Sequence, residues 1–274
     1  VGPVDASETL IAIHGGPGLS LEAMSTFDSL AGPNRRVVSY DQRGAGRSTG
    51  PDDSDYGLTA QVADLEAIRH ALGAERVELL GQSWGGAVAA AYAATHPDRV
   101  SALILVGAVP LDRAEYLGGQ RRFQARVSEL QRIELIDDEI PPIDNGSCLT
   151  AFTAVLPAYV DEPTSEIPTT VTSCNAETSR ATYQAFVTDD AVSDLAARLA
   201  SFDSPVLLLA GENDVFGPDW ITRQQQILTH APTDTVRIPG AGHLVGAEQP
   251  DATMSTITTF LTDRAGSIPL GIGT

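Results

Sequence analysis

The chain has 274 residues and is strongly acidic, with 36 Asp and Glu residues against 17 basic ones and a formal net charge of −19. All the basic residues are arginine, which excludes mechanisms that need a catalytic lysine, such as Schiff-base chemistry. This charge repels phosphate backbones and anionic lipids, so we expect neither a nucleic-acid partner nor a membrane partner. The simplest interpretation of the acidic excess is solubility, and the alternative is attraction of a cationic substrate.

Short apolar runs bounded by glycine or proline predict buried parallel strands. In chain order they cover residues 9–13, 36–40, 77–80, 102–106, 205–209 and 235–238. Helical patterns follow most of them, over residues 60–72, 87–95, 220–229 and 252–261. The alternation of strands and helices predicts a mostly parallel sheet with helices on both faces.

One long segment interrupts this alternation. Apolar residues at helical spacing predict a helix over residues 121–135, and a second helix is expected over residues 177–187. A proline-rich stretch separates the two. We therefore expect a core, formed by residues 1–109 and 205–274, and a mostly helical cap, residues 110–204, inserted between two strands of the sheet.

The pattern Gly81-Gln82-Ser83-Trp84-Gly85 follows the third predicted strand and precedes a helix of small residues. It is typical of a nucleophile elbow, in which a sharp strand-to-helix turn exposes a serine side chain. Small residues around the serine permit the turn, and the helix N-terminus stabilises negative charge that develops there. Ser83 is therefore the candidate nucleophile.

Two further residues complete a possible catalytic triad. A nucleophilic serine needs a general base, and the base needs a carboxylate that orients it. His243 follows the last predicted strand, and Asp214 follows the one before it, at the strand ends where α/β sheets bind ligands. We predict His243 as the base and Asp214 as the carboxylate, with Glu212 and Asp219 as the competing acids.

The first predicted strand leads into His14-Gly15-Gly16-Pro17-Gly18. Paired glycines allow backbone N–H groups to approach a substrate carbonyl, and the proline restricts the turn. We expect the N–H groups of Gly16 and Trp84 to form an oxyanion hole. His14 itself is expected to anchor this loop rather than to transfer protons.

Cysteine and histidine usage gives no indication of a metal site. No spacing in the chain matches a metal-binding motif, so we expect no metal site. Cys148 and Cys174 can form one disulfide, and two free buried thiols are the alternative. A soluble protein of the cytoplasm or a secreted one is expected, and a disulfide would favour secretion.

Four motifs occur together: HGGPG at 14–18, DQRGAGRS at 41–48, GQSWGG at 81–86 and GAGH at 240–243. In combination they resemble the proline iminopeptidase group of the α/β-hydrolases. The resemblance implies an α/β-hydrolase fold with a cap, and release of an N-terminal residue, often proline, without a metal or cofactor. The family usually carries two strands before the first strand predicted here, so we expect those two to be missing.

In an iminopeptidase, acidic cap residues hold the free α-amino group of the substrate. By this resemblance Glu162, Glu166 and Glu177 are candidates, and Glu177 is favoured because Tyr183 follows it in the same predicted helix. The alternative for each acid is a solvated position on a helix face. Gly15 is also expected to lie against the substrate.

We expect Ser83 to attack a carbonyl carbon while His243 takes its proton, and water to hydrolyse the acyl-enzyme. The leading function is an aminopeptidase-like amide hydrolase with a small-molecule or short-peptide substrate. An esterase, a lactonase or a biosynthetic acyl hydrolase would use the same triad. A ligand-sensing receptor that signals by moving its cap is a third alternative.

The acidic residues are concentrated in the predicted cap. Residues 110–204 carry 16 acids and 7 arginines, a net charge of −9 in 95 residues, whereas the other 179 residues carry −10. Within the cap, residues 133–194 hold 12 acids and a single arginine, Arg180. An acidic lobe over Ser83 would attract cationic substrates with a free amine.

Overall fold

In a computed structural model, which describes residues 1–50, 55–167, 170–217 and 219–265, parallel strands form the centre of the protein. The strands are β1 (Glu8–Ile13), β2 (Arg35–Ser39), β3 (Val77–Gln82), β4 (Val100–Val106), β5 (Val206–Gly211) and β6 (Thr233–Ile238). Within the described residues they form one sheet in the order β2-β1-β3-β4-β5-β6, and each neighbouring pair is parallel. The predicted α/β architecture is confirmed.

Helices cover this sheet and extend above it. In the described part of the chain they are α1 (Leu58–Ala71), α2 (Trp84–Thr95), α3 (Arg113–Arg132), α4 (Cys148–Ala154), α5 (Ala176–Thr188), α6 (Ala191–Leu199), α7 (Asp219–Ile227), α8 (Val245–Glu248) and α9 (Pro250–Ala265). Short 3₁₀ helices span Leu21–Leu30, Pro97–Arg99 and Leu156–Ala158. Helical spacing in the sequence predicted α1, α2, α3, α5, α7 and α9 but neither α4 nor α6.

Alternating side chains of the strands divide the core into two halves. Leu10 and Ala12 of β1 point to the face covered by α9 and the first 3₁₀ helix. Ile11 and Ile13 point to the opposite face, where α1, α2 and α6 pack. Because both faces are covered, the inner strands β1, β3, β4 and β5 are buried along most of their length, as is usual for parallel sheets, whereas the edge strands β2 and β6 are more polar.

Helix α2 lies at the centre of one half of the core. Its residues from Trp84 to Ala94 are all buried, because the helix packs against β3, β4, α1 and α6 at once. A Cβ atom on Gly85 would lie only 2.0 Å from the carbonyl oxygen of Ile13, so glycine is required at this contact. The close packing holds the first turn of α2 against β1 at the carboxyl edge of the sheet.

The segment between β4 and β5 lies over that carboxyl edge from α3 to α5, whereas α6 packs against α2 on the face of the sheet, so the predicted cap includes one helix of the core. The segment contains α3 to α6 and a small apolar cluster of its own, formed by Phe123, Val127, Leu130, Ile136 and Ala158. Helix α3 begins earlier than predicted because the Asp112 side chain caps it, accepting a hydrogen bond from the Glu115 N–H. We call this stretch, residues 110–204, the inserted segment.

The inserted segment is attached to the loops that follow β1 and β2. Cys148 and Cys174 form a disulfide, and Cys174 also pairs with Leu19 in an isolated antiparallel bridge. The side chains of Asn175 and Thr178 donate hydrogen bonds to the carbonyl oxygen of Gly44, at 3.0 and 2.9 Å. The start of α5 is therefore held close to the β1 and β2 loops.

The last helix, α9, ends at Ala265, and residues 266–274 of the predicted core lie outside the described residues. Among the residues that the structure describes, no helix combines the length and the apolar composition that crossing a bilayer requires.

A polar cluster joins α1 to α2. Glu66 of α1 accepts hydrogen bonds from the Arg69 guanidinium at 2.6 and 2.8 Å and from the Tyr92 hydroxyl of α2 at 2.5 Å. The bonds from Arg69, and then the one from Tyr92, lower the pKa of Glu66 from its ordinary 4.5 to about 2. A carboxylate with a lowered folded-state pKa stabilises the fold above its unfolded pKa, and this is lost as the pH falls through the folded value.

Replacing Glu66 by glutamine should lower the free energy of unfolding by about 1–2 kcal/mol near neutral pH, since charge-assisted hydrogen bonds are lost. The difference should shrink as the pH falls from 4.5 to about 2, where the wild-type carboxylate is also protonated. Urea denaturation across this pH range measures it, with the exposed Glu75→Gln as the matched control. A difference that stays constant with pH would contradict the assignment.

Candidate active site

Ser83 lies at the turn between β3 and α2. Its backbone φ of 52° and ψ of −119° fall in a region that costs a non-glycine residue about 1–3 kcal/mol. Three hydrogen bonds hold the turn: the Ser83 N–H donates to the Val106 carbonyl at 3.0 Å, and the Ser83 carbonyl accepts from the N–H groups of Gly86 and Val109, both at 2.9 Å. The predicted elbow geometry is therefore present, and it turns the Ser83 side chain away from the sheet.

A line of hydrogen bonds runs from Ser83 to a buried carboxylate. The Ser83 Oγ atom lies 3.0 Å from Nε2 of His243, and Nδ1 of His243 lies 3.1 Å from both carboxylate oxygens of Asp214. His243 and Asp214 are each only 4% exposed. The contact with Asp214 selects the tautomer in which Nδ1 carries the proton and Nε2 is free to accept the proton of Ser83.

Asp214 lies in the loop after β5, and His243 lies in the loop after β6. The Phe216 N–H donates to Oδ1 of Asp214 at 3.0 Å, which orients the carboxylate toward His243. The competing acids, Glu212 and Asp219, both have exposed side chains. The structure therefore brings Asp214, and neither of its competitors, to His243.

The glycine loop after β1 approaches Ser83 closely. A Cβ atom on Gly15 would lie 2.8 Å from Cβ of Ser83, so only glycine permits this approach. Gly16 has a φ of +61°, and both glycines line the cavity that contains Ser83. Within the described residues, no acceptor is recorded for the N–H groups of Gly16 or Trp84. Both groups are thus available to a substrate oxygen.

Gln42 connects the glycine loop to the elbow. Its side-chain amide donates to the His14 carbonyl at 2.7 Å and accepts from the Trp84 indole N–H at 3.0 Å. Its backbone N–H donates to Nε2 of His14 at 3.2 Å, and Nδ1 of His14 lies 3.0 Å from the Gly15 carbonyl. Burial lowers the pKa of His14. His14 is thus a neutral anchor of the loop, as expected from the sequence, whereas the bridging role of Gln42 was not predicted.

A cavity of about 850 Å³ opens above Ser83 and His243. Its walls come from the loops after the strands and from the inserted segment, and they are mostly apolar. Its aromatic side chains are Phe27, Tyr116, Phe123, Phe152, Tyr159, Tyr183, Phe216 and Trp220. The rings of Phe216 and Tyr159 lie with centroids 4.6 and 5.7 Å from that of His243, which shields the imidazole from bulk water.

Polar groups of the cavity are mainly neutral. Burial raises the pKa of Tyr159 to about 12 and raises the pKa of Tyr183 well above its ordinary value, so both hydroxyls stay protonated. Among the described residues, no group of three or more His, Cys, Asp or Glu side chains is arranged to hold a metal ion. The lining thus offers hydrogen-bonding hydroxyl groups in an otherwise apolar space.

Two side chains in the described lining of the cavity carry a full charge at neutral pH. They are Glu115 and Arg180. Glu115 is neutralised locally, because its carboxylate contacts Arg122 at 2.7 Å and Arg223 at 3.1 Å. Arg180 lies on α5 with an exposed side chain, and no ion pair is recorded for it within the described part of the chain. The net charge available to a bound molecule in this cavity is therefore positive.

The acids predicted to hold a substrate amine lie elsewhere. Glu162, Glu166 and Glu177 are exposed, and none of them lines the cavity. The Glu162 carboxylate accepts hydrogen bonds from Thr164, and Glu177 occupies the first turn of α5, outside the cavity. The structure brings the predicted triad and the glycine loop together, but it does not bring these three carboxylates to them.

Comparison with known proteins gives a family match over most of the chain. Residues 8–250 match the model of the α/β-hydrolase fold family. A carboxylesterase structure from Nitrososphaera gargenis superposes with a TM-score of 0.70 at 19% identity, covering 98% of this chain and 94% of that one. At this identity the structural likeness supports the fold alone.

The proteins with similar sequences are named for different activities. A provisionally named 2-succinyl-6-hydroxy-2,4-cyclohexadiene-1-carboxylate synthase of Bacillus subtilis is 28% identical over 265 residues, covering 94% of this chain and 92% of that protein. The proline iminopeptidase of Lactobacillus helveticus is 41% identical over 109 residues, but the match spans only 38% of this chain and 37% of that enzyme. The family match and the parallel sheet agree with each other: this chain belongs to the family of proteins with the α/β-hydrolase fold.

Proposed function

We propose that this protein is a serine hydrolase that cleaves a carboxylic ester through an acyl-enzyme. The observation that carries the proposal is the hydrogen-bonded line from Asp214 through His243 to Ser83, which ends in a large cavity. Asp214 orients His243 and stabilises its protonated form, and His243 acts as general base toward Ser83. The inserted segment serves as the cap of this site.

The reaction proceeds in two acyl-transfer steps. Ser83 Oγ forms a bond to the substrate carbonyl carbon while its proton passes to Nε2 of His243. The N–H groups of Gly16 and Trp84 stabilise the resulting oxyanion. His243 then returns the proton to the leaving alcohol as the carbon–oxygen bond breaks. Water attacks the acyl-enzyme by the same route and releases the carboxylic acid.

The lining of the cavity supports an ester with an apolar or aromatic part. Its volume of about 850 Å³ is that of a site for a drug-sized molecule, and aromatic rings surround His243 on two sides. Burying an apolar group against these walls stabilises the complex in proportion to the area removed from water. An ester needs no charged contact for this, whereas a free amine would need one.

Charge in the lining supports a neutral or anionic substrate over a cationic one. Glu115 is already paired with Arg122 and Arg223, so a substrate ammonium would have to displace an arginine. Arg180 offers a guanidinium for which the described residues record no ion pair, and this suits a substrate carboxylate. The Bacillus subtilis relative is named for a carboxylate product, a compound of this charge.

An aminopeptidase is the second candidate function. The 41% identity to the Lactobacillus helveticus proline iminopeptidase over 109 residues favours it. In that case Glu115 is the one carboxylate in the described lining that a substrate amine could reach. The two candidate functions differ in the charge of the substrate: the esterase would accept a neutral or anionic substrate, and the aminopeptidase would accept a cationic one.

The variant Ser83→Ala should lose at least about 1,000-fold in kcat on any substrate the wild type turns over, because removing the nucleophile leaves only binding and the oxyanion hole. Initial rates with a p-nitrophenyl ester measure this, and circular dichroism checks that the variant is folded. Activity retained by folded Ser83→Ala would overturn the whole mechanism.

A panel of chromogenic substrates should separate the two candidate functions. We expect p-nitrophenyl butyrate to be hydrolysed at least about tenfold more efficiently, in kcat/KM, than proline p-nitroanilide, because an aryl ester is more reactive than an anilide and the described lining has no unpaired carboxylate for the amine. N-acetylated and free-amine anilides should react at similar, low rates. A strong preference for the free amine would favour the aminopeptidase instead.

The variant Arg180→Gln tests the charge preference. For an ester that carries a free carboxylate, kcat/KM should fall by about three- to tenfold, because an exposed guanidinium–carboxylate pair is lost. The methyl-ester counterpart of the same substrate is the control, and its kcat/KM should stay within about twofold. Equal effects on both substrates would show that Arg180 does not recognise charge.

A further inference from the structure

The carboxylate of Glu248, the last residue of α8, contacts the backbone on both sides of His243. Its Oε1 atom accepts hydrogen bonds from the N–H groups of Gly242 at 3.0 Å and Leu244 at 3.1 Å. Its Oε2 atom accepts from Gly242 at 2.9 Å and from the N–H of Asp161 at 2.8 Å. Asp161 belongs to the inserted segment, so one carboxylate joins three N–H groups of two different parts of the chain.

A second bond joins the same two parts. The N–H of His243 donates to the carbonyl oxygen of Tyr159 at 2.7 Å. The three consecutive N–H groups at residues 242–244 therefore all donate to Glu248 or to the inserted segment. The His243 loop, residues 240–244, thus has its backbone held from outside the sheet, by contacts that involve neither Ser83 nor Asp214.

The position of the His243 backbone matters because the imidazole must form hydrogen bonds to Ser83 and to Asp214 at the same time. His243 lies 3.0 Å from Ser83 and 3.1 Å from Asp214, and a displacement of about 1 Å at a reacting group can cost about 100-fold in rate. The side chain follows its backbone, and that backbone is held by a charged acceptor that forms stronger hydrogen bonds than a neutral one. Loss of the charge would loosen the loop on both sides of the base.

We propose that Glu248 is a positioning residue, which holds the His243 loop against Tyr159 and Asp161 and so keeps the base aligned with Ser83 and Asp214. This role rests on the proposed function, because it assumes that His243 acts as the base. It adds a link between the segment that covers the cavity and the residue that activates Ser83. Burial raises the pKa of Glu248, and the hydrogen bonds from the backbone N–H groups of Asp161, Gly242 and Leu244 oppose that shift by favouring the charged carboxylate.

The test uses the variants Glu248→Gln and Glu248→Asp. An amide carries an –NH₂ group that cannot accept the backbone N–H bonds, whereas aspartate keeps the charge and shortens the reach by one methylene. We expect kcat per active site to fall by about 10- to 100-fold in Glu248→Gln, with an intermediate loss in Glu248→Asp and KM within about twofold in both. Asp251→Asn, which removes an exposed carboxylate at the start of α9, is the control.

Active sites are counted by phosphonylation of Ser83 with a fluorescent fluorophosphonate, and the rate of labelling gives a second measure of base function. If labelling of the wild type does not depend on Ser83, the proposed function fails. If the wild type is labelled at Ser83 and Glu248→Gln keeps its labelling rate and its kcat per labelled site, the positioning role is wrong and the proposed function stands. A lowered melting temperature with unchanged kcat per site would likewise assign Glu248 a structural role alone.

Discussion

The close approach of α2 to the sheet is the constraint on which the candidate site depends. Because Gly85 lacks a side chain, the first turn of α2 lies against Ile13, and the chain before it bends so sharply that Ser83 takes a positive φ. This strained turn presents Ser83 at the carboxyl edge of the sheet. The fully buried helix, tied to α1 through Glu66 and Tyr92, resists relaxation of that strain.

The space above Ser83 is shaped by the inserted segment and by the cost of burying charge. Aromatic and aliphatic side chains form the walls, whereas Glu162, Glu166 and Glu177 remain in solvent. A carboxylate is tolerated in the lining where two arginines neutralise it, as at Glu115. The acidic excess of the segment therefore lies largely away from the cavity, in keeping with a role in solubility.

The strands and three of the site residues could be predicted because parallel strands bring their carboxyl ends to one edge. Ser83, Asp214 and His243 each lie within a few residues of the carboxyl end of a predicted strand, so topology alone brings them together. Gln42 and Glu248 could not be found in this way. Gln42 acts through contacts with two distant loops, and Glu248 ends a four-residue helix, too short for any periodicity to indicate.

The amino-acid sequence by itself determined the alternation of strands and helices, the glycine loop and the elbow, because these depend on local patterns of a few residues. Tertiary structure alone decided which carboxylates face the cavity, which arginines neutralise Glu115, and how the His243 loop is tied to the inserted segment. These features depend on contacts between residues far apart in the chain, such as Asp161 and Glu248, and their geometry exists only once the inserted segment has packed over the sheet.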